Sequence, residues 1–281
     1  MKTAIIVDSA SGLSKIEAES LGLYYLPLQI LVDDKTYLDG VNISVEEIFN
    51  MIADGKMPKT SMPTMGSIEK LVNELKNEYD NAILVSITSG LSSTMSTILS
   101  VAAINEFDIR EVDCFTTCSV QKEVALNALE LVKQGLDIEE CINKLNESLK
   151  VSDTFIIPND LDHLCRGGRL TPLAAKLGGL LKIKPILKLN KDTSGKIDAY
   201  KKVRTMSKAI DLVIEELKGM DINDDDTIHI CHTGENDNLQ YLIKRMNEEF
   251  KNEIDIDYIY PVVSVHTGLG CLGVQFVRKV S

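Results

Sequence analysis

The chain has 281 residues, 44% hydrophobic and 26% charged, enough for one large or two ordinary domains with a sizeable core. Its net charge of −12 excludes broad nucleic-acid binding, which needs clustered Lys and Arg against phosphates, although a local basic patch stays open at Arg166, Arg169, Lys176, Lys182 and Lys184. No apolar run reaches the ~18 residues of a membrane-spanning helix.

Met1-Lys2-Thr3 leads straight into a strand pattern, not into the long apolar region of a signal peptide, so a cytoplasmic location is expected. Cys114, Cys118, Cys141, Cys165, Cys231 and Cys271 are scattered and read as reduced thiols. Cys114 and Cys118 lack two further ligands at metal-site spacing, so no metal is expected.

In chain order, Thr3–Val7 is a short β-branched strand that ends in the turn-rich Asp8-Ser9-Ala10-Ser11-Gly12, and helical spacing follows to Leu21. Tyr24–Val32 reads as a second strand, Asp33-Asp34-Lys35-Thr36 as a turn and Tyr37-Leu38 as its return. Ser44 caps a helix to Ala53, with Glu46 and Glu47 complementing its dipole. Pro58 and Pro63 bracket a hydroxyl loop, Lys59-Thr60-Ser61-Met62-Pro63-Thr64, and Ser67 is the expected cap of a helix over 68–79. Ala82–Ile87 is a continuous apolar strand of the kind buried on both faces. A second hydroxyl loop, Thr88-Ser89-Gly90-Leu91-Ser92-Ser93-Thr94, follows it at once. Helices are predicted over 94–103, 120–134 and 138–149, with a strand over 109–114.

The second half has strands at 155–157, 183–189 and 197–203, the last two flanking a Lys191–Gly195 hairpin signal. A helix over 206–218, a strand over 227–231, a helix over 239–250 and strands over 254–263 and 271–277 complete it. Strand–helix alternation over the first part predicts a doubly wound, mainly parallel α/β sheet, and the mixed hairpins and helices after it predict an α+β domain. The expected division is 1–155 and 156–281.

Both hydroxyl loops fall where ligands bind in such sheets, beyond the carboxyl ends of strands. Ser92 or Ser93 stands where a helix begins, so the loop reads either as a plain N-cap or as an anion site on exposed backbone N–H groups. Thr60-Ser61 reads either as an ordinary turn or as a second part of that site. His266, in Val265-His266-Thr267-Gly268-Leu269-Gly270, reads either as a packed histidine or as a donor to a carboxylate. His229 and His232 lack ligand partners at metal spacing and read as structural. There is no Gly-x-Ser-x-Gly elbow and no Gly-x-x-x-x-Gly-Lys-Ser/Thr phosphate loop, which favours binding over catalysis.

The chain resembles the DegV family of bacterial fatty-acid-binding proteins over essentially its whole length. The resemblance rests on Val7-Asp8-Ser9, Leu26-Pro27-Leu28, Tyr37-Leu38-Asp39, Lys59-Thr60-Ser61-Met62-Pro63 and Ser89-Gly90-Leu91-Ser92-Ser93-Thr94. In the second half it rests on Leu164-Cys165-Arg166-Gly167-Gly168-Arg169, Lys184-Pro185-Ile186-Leu187, Arg204-Thr205 and His266-Thr267-Gly268. It implies two α/β domains with a long-chain fatty acid buried between them and no cofactor. The carboxylate would meet Thr60, Ser61 and Ser92, with Ser93 and His266 beside them. It also implies a carrier without a catalytic centre, which presents the acid to a separate fatty acid kinase for acyl phosphate formation. Arg166 and Arg169 would then lie on a docking or phosphate-facing surface. The family's usual pattern has Gln after Thr-Ser and Gly after the second serine, where this chain has Met62 and Ser93. The rival readings are an enzyme using Ser92 as nucleophile and His266 as base, and a lipid-sensing adaptor without transfer.

Overall fold

The structure is a computed structural model that describes residues 2–179 and 183–280; Met1 and Lys182, both named above, lie outside the described residues. The chain opens with β1 (Thr3–Asp8), α1 (Lys15–Leu21), β2 (Tyr24–Leu26), β3 (Gln29–Val32), β4 (Lys35–Leu38), α2 (Val45–Ala53) and β5 (Lys59–Ser61). It continues with α3 (Met65–Glu78), β6 (Asn81–Val85), α4 (Thr94–Ile104), β7 (Asp108–Glu111), α5 (Ser119–Lys133) and α6 (Ile138–Ser148). Strands β2-β1-β6-β7 form an all-parallel sheet. Side chains alternate across a strand, and here both faces are apolar. Ile5, Val7, Ile83 and Val85 pack with α1, α5 and α6. Ala4, Ile6, Ala82 and Leu84 pack with α3 and α4. The first part is therefore a parallel sheet covered on both sides, as the alternation of strands and helices predicts.

The second part runs β8 (Ser152–Ile157), α7 (Leu161–Gly167), α8 (Pro172–Ala175), β9 (Lys184–Lys188), β10 (Asp198–Val203) and α9 (Met206–Lys218). It ends with β11 (Ile228–His232), α10 (Asp237–Glu249), β12 (Ile254–Tyr258), α11 (Pro261–Thr267) and β13 (Leu272–Val277). Its sheet has the order β10-β9-β8-β13-β11-β12, antiparallel except for the β11–β12 pair. Phe155 and Ile157 face the core under α9 and α10. Ile156 faces the other way, into a core shared with Leu91 and Cys118 of the first part. Gln275 of β13 clamps the junction by accepting from Ser119 N at 3.1 Å and donating to Thr117 O at 2.9 Å.

Five predicted elements come out differently. Tyr24–Val32 is not one strand: Pro27 has no N–H for a ladder, and the chain leaves the parallel sheet there. β3 instead forms a small antiparallel sheet, β4-β3-β5. Lys59–Ser61 is thus an edge strand and not a loop. The next helix starts earlier than expected, because Thr64 and not Ser67 is its cap, with Thr64 Oγ1 accepting from Ser67 N at 3.2 Å. The predicted strand over 254–263 stops at Tyr258. Pro261 then occupies the first turn of α11, where its missing N–H costs nothing, so His266 lies in the last turn of a helix. The strand expected over 109–114 ends at Glu111.

All six cysteines are free, and no described helix is long and apolar enough to cross a membrane.

Candidate functional site

The hydroxyl segments meet at the carboxyl edge of the parallel sheet. A cavity of about 70 Å³ is lined there by Thr60, Ser61, Met62, Leu91, Ser92, Arg169, His266 and Thr267, with Leu28, Ile87, Ile197, Val262 and Val263 forming an apolar end. Each part arrives on a different element. Thr60 sits opposite Ile30 in the β3–β5 ladder. Leu91 and Ser92 lie in the turn between β6 and α4, and His266 and Thr267 close α11. Arg169 follows α7, which packs directly on α11: His163 Nε2 lies 2.8 Å from Val265 O, and a Cβ on Gly167 would stand 3.1 Å from His266 Nδ1.

A tight backbone crossing brings the second part to this edge. A Cβ at Gly90 would lie 2.1 Å from Gly195 O, and one at Gly195 (φ +66°) would lie 2.0 Å from Thr88 Oγ1. Neither position admits a side chain. The crossing delivers Ile197 to the cavity wall.

The polar end has a defined order. Thr60 Oγ1 and His266 Nε2 are 2.8 Å apart. Burial, and then the Arg169 charge, holds the imidazole down to about 4, so it is neutral near pH 7. Either the ring or the hydroxyl donates in that pair, according to the tautomer. Arg169 Nη1 donates to Gly167 O at 2.7 Å, and burial lowers the guanidinium's pKa. Ser92 Oγ accepts from Thr94 N at 3.2 Å and bonds Thr94 Oγ1 at 2.8 Å. Thr267 Oγ1 is buried without a hydrogen-bond partner among the described residues.

The structure therefore gathers Thr60, Ser61, Ser92 and His266 around one space. Ser93 is exposed, occupies the N-cap position of α4 without a side-chain capping bond, and does not line the cavity. Its hydroxyl points to Met62 Sδ at 3.9 Å. The two arginines separate: Arg166 is exposed, whereas Arg169 is half-buried and lines the cavity. From the sequence Arg169 is expected on a docking or phosphate-facing surface, and Thr267 is not singled out. Thr267 was legible only as the neighbour of His266, and the inward turn of Arg169 has no local signal. Ser92 and His266 share the cavity, yet the His266 Nε2 bond goes to Thr60 and the Ser92 hydroxyl bonds go to Thr94.

His229, Asp255 and Asp257 also converge, with ligand-type atoms within 4.8 Å of one another. The cation among them is Lys122, 2.6 Å from Asp257 and 3.5 Å from Asp255. The nearby His229 ring and the Lys122 charge hold Asp255 well below the usual carboxylate range. His232 packs against Tyr258 with the rings tilted by 43° and 4.6 Å between centroids.

A parallel sheet covered by helices, a mixed sheet closing over its carboxyl edge and a cavity with polar and apolar lining between them define a two-part α/β architecture. The chain belongs to the DegV family: the family model, described as that of an uncharacterised protein of the DegV family, matches residues 2–279. It is 32% identical over 277 residues to a DegV domain-containing protein of Streptococcus pyogenes serotype M3, covering 97% of each chain. Its fold is similar to that of a fatty acid binding DegV family protein from Streptococcus agalactiae, with TM-score 0.90, 30% identity and 99% of each chain covered. It is also similar to DegV, a fatty acid binding protein from Bacillus subtilis, with TM-score 0.87, 28% identity and 99% and 100% of the two chains covered.

Proposed function

We propose that this protein binds a long-chain fatty acid, holds its carboxylate at Thr60, Ser61, Ser92, Arg169 and His266, and presents it to a separate fatty acid kinase that forms the acyl phosphate. The observation that carries the reading is the Thr60–His266 pair at the polar end of a cavity whose other end is apolar. A carboxylate needs donors; the hydroxyls, a neutral imidazole and one guanidinium supply them without a metal. An alkyl tail needs apolar walls. Burying each methylene contributes about 0.8 kcal/mol, so a tail of about fourteen gives a gross term on the order of 11 kcal/mol. Net affinity is smaller after the costs of association.

A water needs roughly 10–15 Å³ of such cavity volume. The 70 Å³ present would take a head group and the first carbons. The rest of a tail enters by parting Leu28, Ile87, Leu91, Val262 and Val263, a rearrangement that this reading requires. On the same reading the two parts expected as 1–155 and 156–281, with the division falling before β8 at Ser152 so that this strand stays whole, act as two units around the ligand. The exposed Arg166 faces the partner, and the protein works in the cytoplasm as a carrier with no cofactor and no catalytic centre. The absence of a Ser92–His266 bond supports a carrier over a serine hydrolase.

The test is solvent extraction of the purified protein with mass spectrometry for acids, followed by uptake of added acid. A stoichiometric long-chain acid supports the reading. An empty extract with no uptake removes it.

A further inference from the structure

Two of the sequence segments that mark the chain as a DegV protein, Val7-Asp8-Ser9 and Tyr37-Leu38-Asp39, contribute nothing to the cavity lining. They nevertheless converge. Asp8, Ser9 and Asp39 are 1%, 0% and 0% exposed. From this cluster hang the backbones of three residues of the apolar end. Ile87 N donates to Asp8 Oδ2 at 2.8 Å, Leu28 N to Ser9 Oγ at 3.1 Å and Val262 N to Asp39 Oδ2 at 3.2 Å. Asp39 N in turn donates to Leu28 O at 3.0 Å. We propose that Asp8, Ser9 and Asp39 are positioning residues that fix the separation of Leu28, Ile87 and Val262 and so select which acyl tails the cavity admits.

The inference rests on the fatty-acid reading and deepens it. The three wall residues come from the turn after β6, the link between β2 and β3, and the start of α11. No ladder or helix common to all three holds them together, so the buried cluster does. Apolar contact among Ala10, Leu28, Ile87 and Val262 gives the wall its substance but has no direction. Hydrogen bonds to fixed acceptors have direction. Burial of these groups is costly: Asp39 Oδ1 has no hydrogen-bond partner among the described residues, although Asp8 Oδ1 accepts from Ala10 N and from Gln121 Nε2. A plain apolar core would avoid that cost but would not tie three separate backbones to one point. Burial pushes Asp8 up to about 6 and Asp39 up to about 7. The titratable groups facing the pair are each other, Tyr25 of β2, Tyr260 before α11, and Cys114 beside Asp8. A neutral amide is therefore a fair replacement for Asp39, since its oxygen can still accept from Val262 N.

The full chain, stripped of lipid, is incubated with an equimolar mixture of saturated and monounsaturated acids of fourteen, sixteen and eighteen carbons. The bound acids are then quantified by mass spectrometry, and melting is followed in parallel. Ser9→Ala and Asp39→Ala are expected to change the ratio among bound acids by roughly threefold or more relative to wild type. Asp39→Asn is expected to restore the wild-type ratio. A wild-type ratio in cooperatively melting Ser9→Ala or Asp39→Ala overturns the inference while leaving the fatty-acid reading intact. So does an Asp39→Asn ratio shifted as far as that of Asp39→Ala. If Asp39→Ala does not fold, Ser9→Ala decides alone. A wild-type protein that takes up none of the acids removes the fatty-acid reading and this inference together.

Discussion

Thr60 Oγ1 and His266 Nε2, 206 residues apart in the chain, stand 2.8 Å apart at the polar end of the cavity. The pair closes β5 onto α11 and sets a hydroxyl and an imidazole, one donating to the other, beside the same space. A neutral hydrogen bond contributes about 1 kcal/mol net, and one to a charged group about 1.5–3. Thr60→Val keeps the shape and removes the hydroxyl. It is expected to weaken binding of a long-chain acid by roughly tenfold or more, and to weaken binding of the corresponding alcohol much less. Titration calorimetry with both ligands measures this. Equal losses for acid and alcohol would show that Thr60 acts on the tail or the fold and not on the carboxylate.

The buried ionisable groups predict two stability slopes of opposite sign. His266 in the folded protein resists its proton until about 4, against 6.5 for the free side chain. Between those values the unfolded chain binds more protons, so the stability contributed by this group is complete above 6.5 and drains as pH falls to 4. Asp8 and Asp39 are raised from 3.8 to about 6 and 7. There the folded chain holds more protons, so their contribution is complete below 3.8 and is lost as pH rises through 6 to 7. The windows overlap between about 4 and 6.5, so relative to wild type the urea midpoint should fall more steeply with rising pH in His266→Gln and less steeply in Asp39→Asn, where Asp8 keeps its share of the slope. A His266→Gln curve parallel to wild type between pH 6.5 and 4 would remove the buried-imidazole account.

The sequence makes some of this visible and hides the rest for physical reasons. α9 is readable to the residue, since Met206–Lys218 carries a clear helical period behind the cap Thr205. The burial of Ile5, Ile6 and Val7 on alternate faces of the sheet follows from a strand that is apolar throughout. Pro27 and Pro261 divide stretches whose β-branched and aromatic neighbours read as continuous strands, because local propensity does not say to which sheet a segment belongs. The hydroxyl segments are visible as candidates, but the Thr60–His266 contact depends on α11 packing on β3 and β5, a tertiary event with no local trace. The charge of Arg169 is plain in the sequence. The backbone leaves α7 through the αL residue Gly168 (φ +70°), but only the packing of the fold shows that the Arg169 side chain lines the cavity.

That placement separates the two arginines experimentally. Arg169 lines the cavity and Arg166 does not. Arg169→Gln is expected to lower acid affinity by roughly tenfold or more, as the loss of a charge-assisted contact requires, and to flatten the salt dependence of binding. Arg166→Gln should leave acid affinity within about twofold of wild type, the range of a solvated surface group. If Arg166→Gln carries the loss and Arg169→Gln does not, the head-group assignment of Arg169 fails.

The two positions at which this chain departs from the pattern it resembles lie near each other. Met62 Sδ accepts from Thr97 Oγ1 at 3.4 Å, and Ser93 Oγ approaches it at 3.9 Å. Met62 O is held by Gln29 Nε2 at 2.7 Å. The thioether thus ties the segment after β5 to the first turn of α4, and it does so with a soft, adaptable group that also lines the cavity. Residues that share such a contact should not act independently. Met62→Gln, Ser93→Gly and the double substitution are expected to give a coupling of at least about 0.5 kcal/mol in acid affinity, with the double variant closer to wild type than the sum of the singles. Stopped-flow release of a fluorescent acid, with equilibrium titration beside it, supplies the four corners of the cycle. Strict additivity would mean that the two departures arose without bearing on each other, and that the strut from Met62 to α4 has no part in holding the ligand.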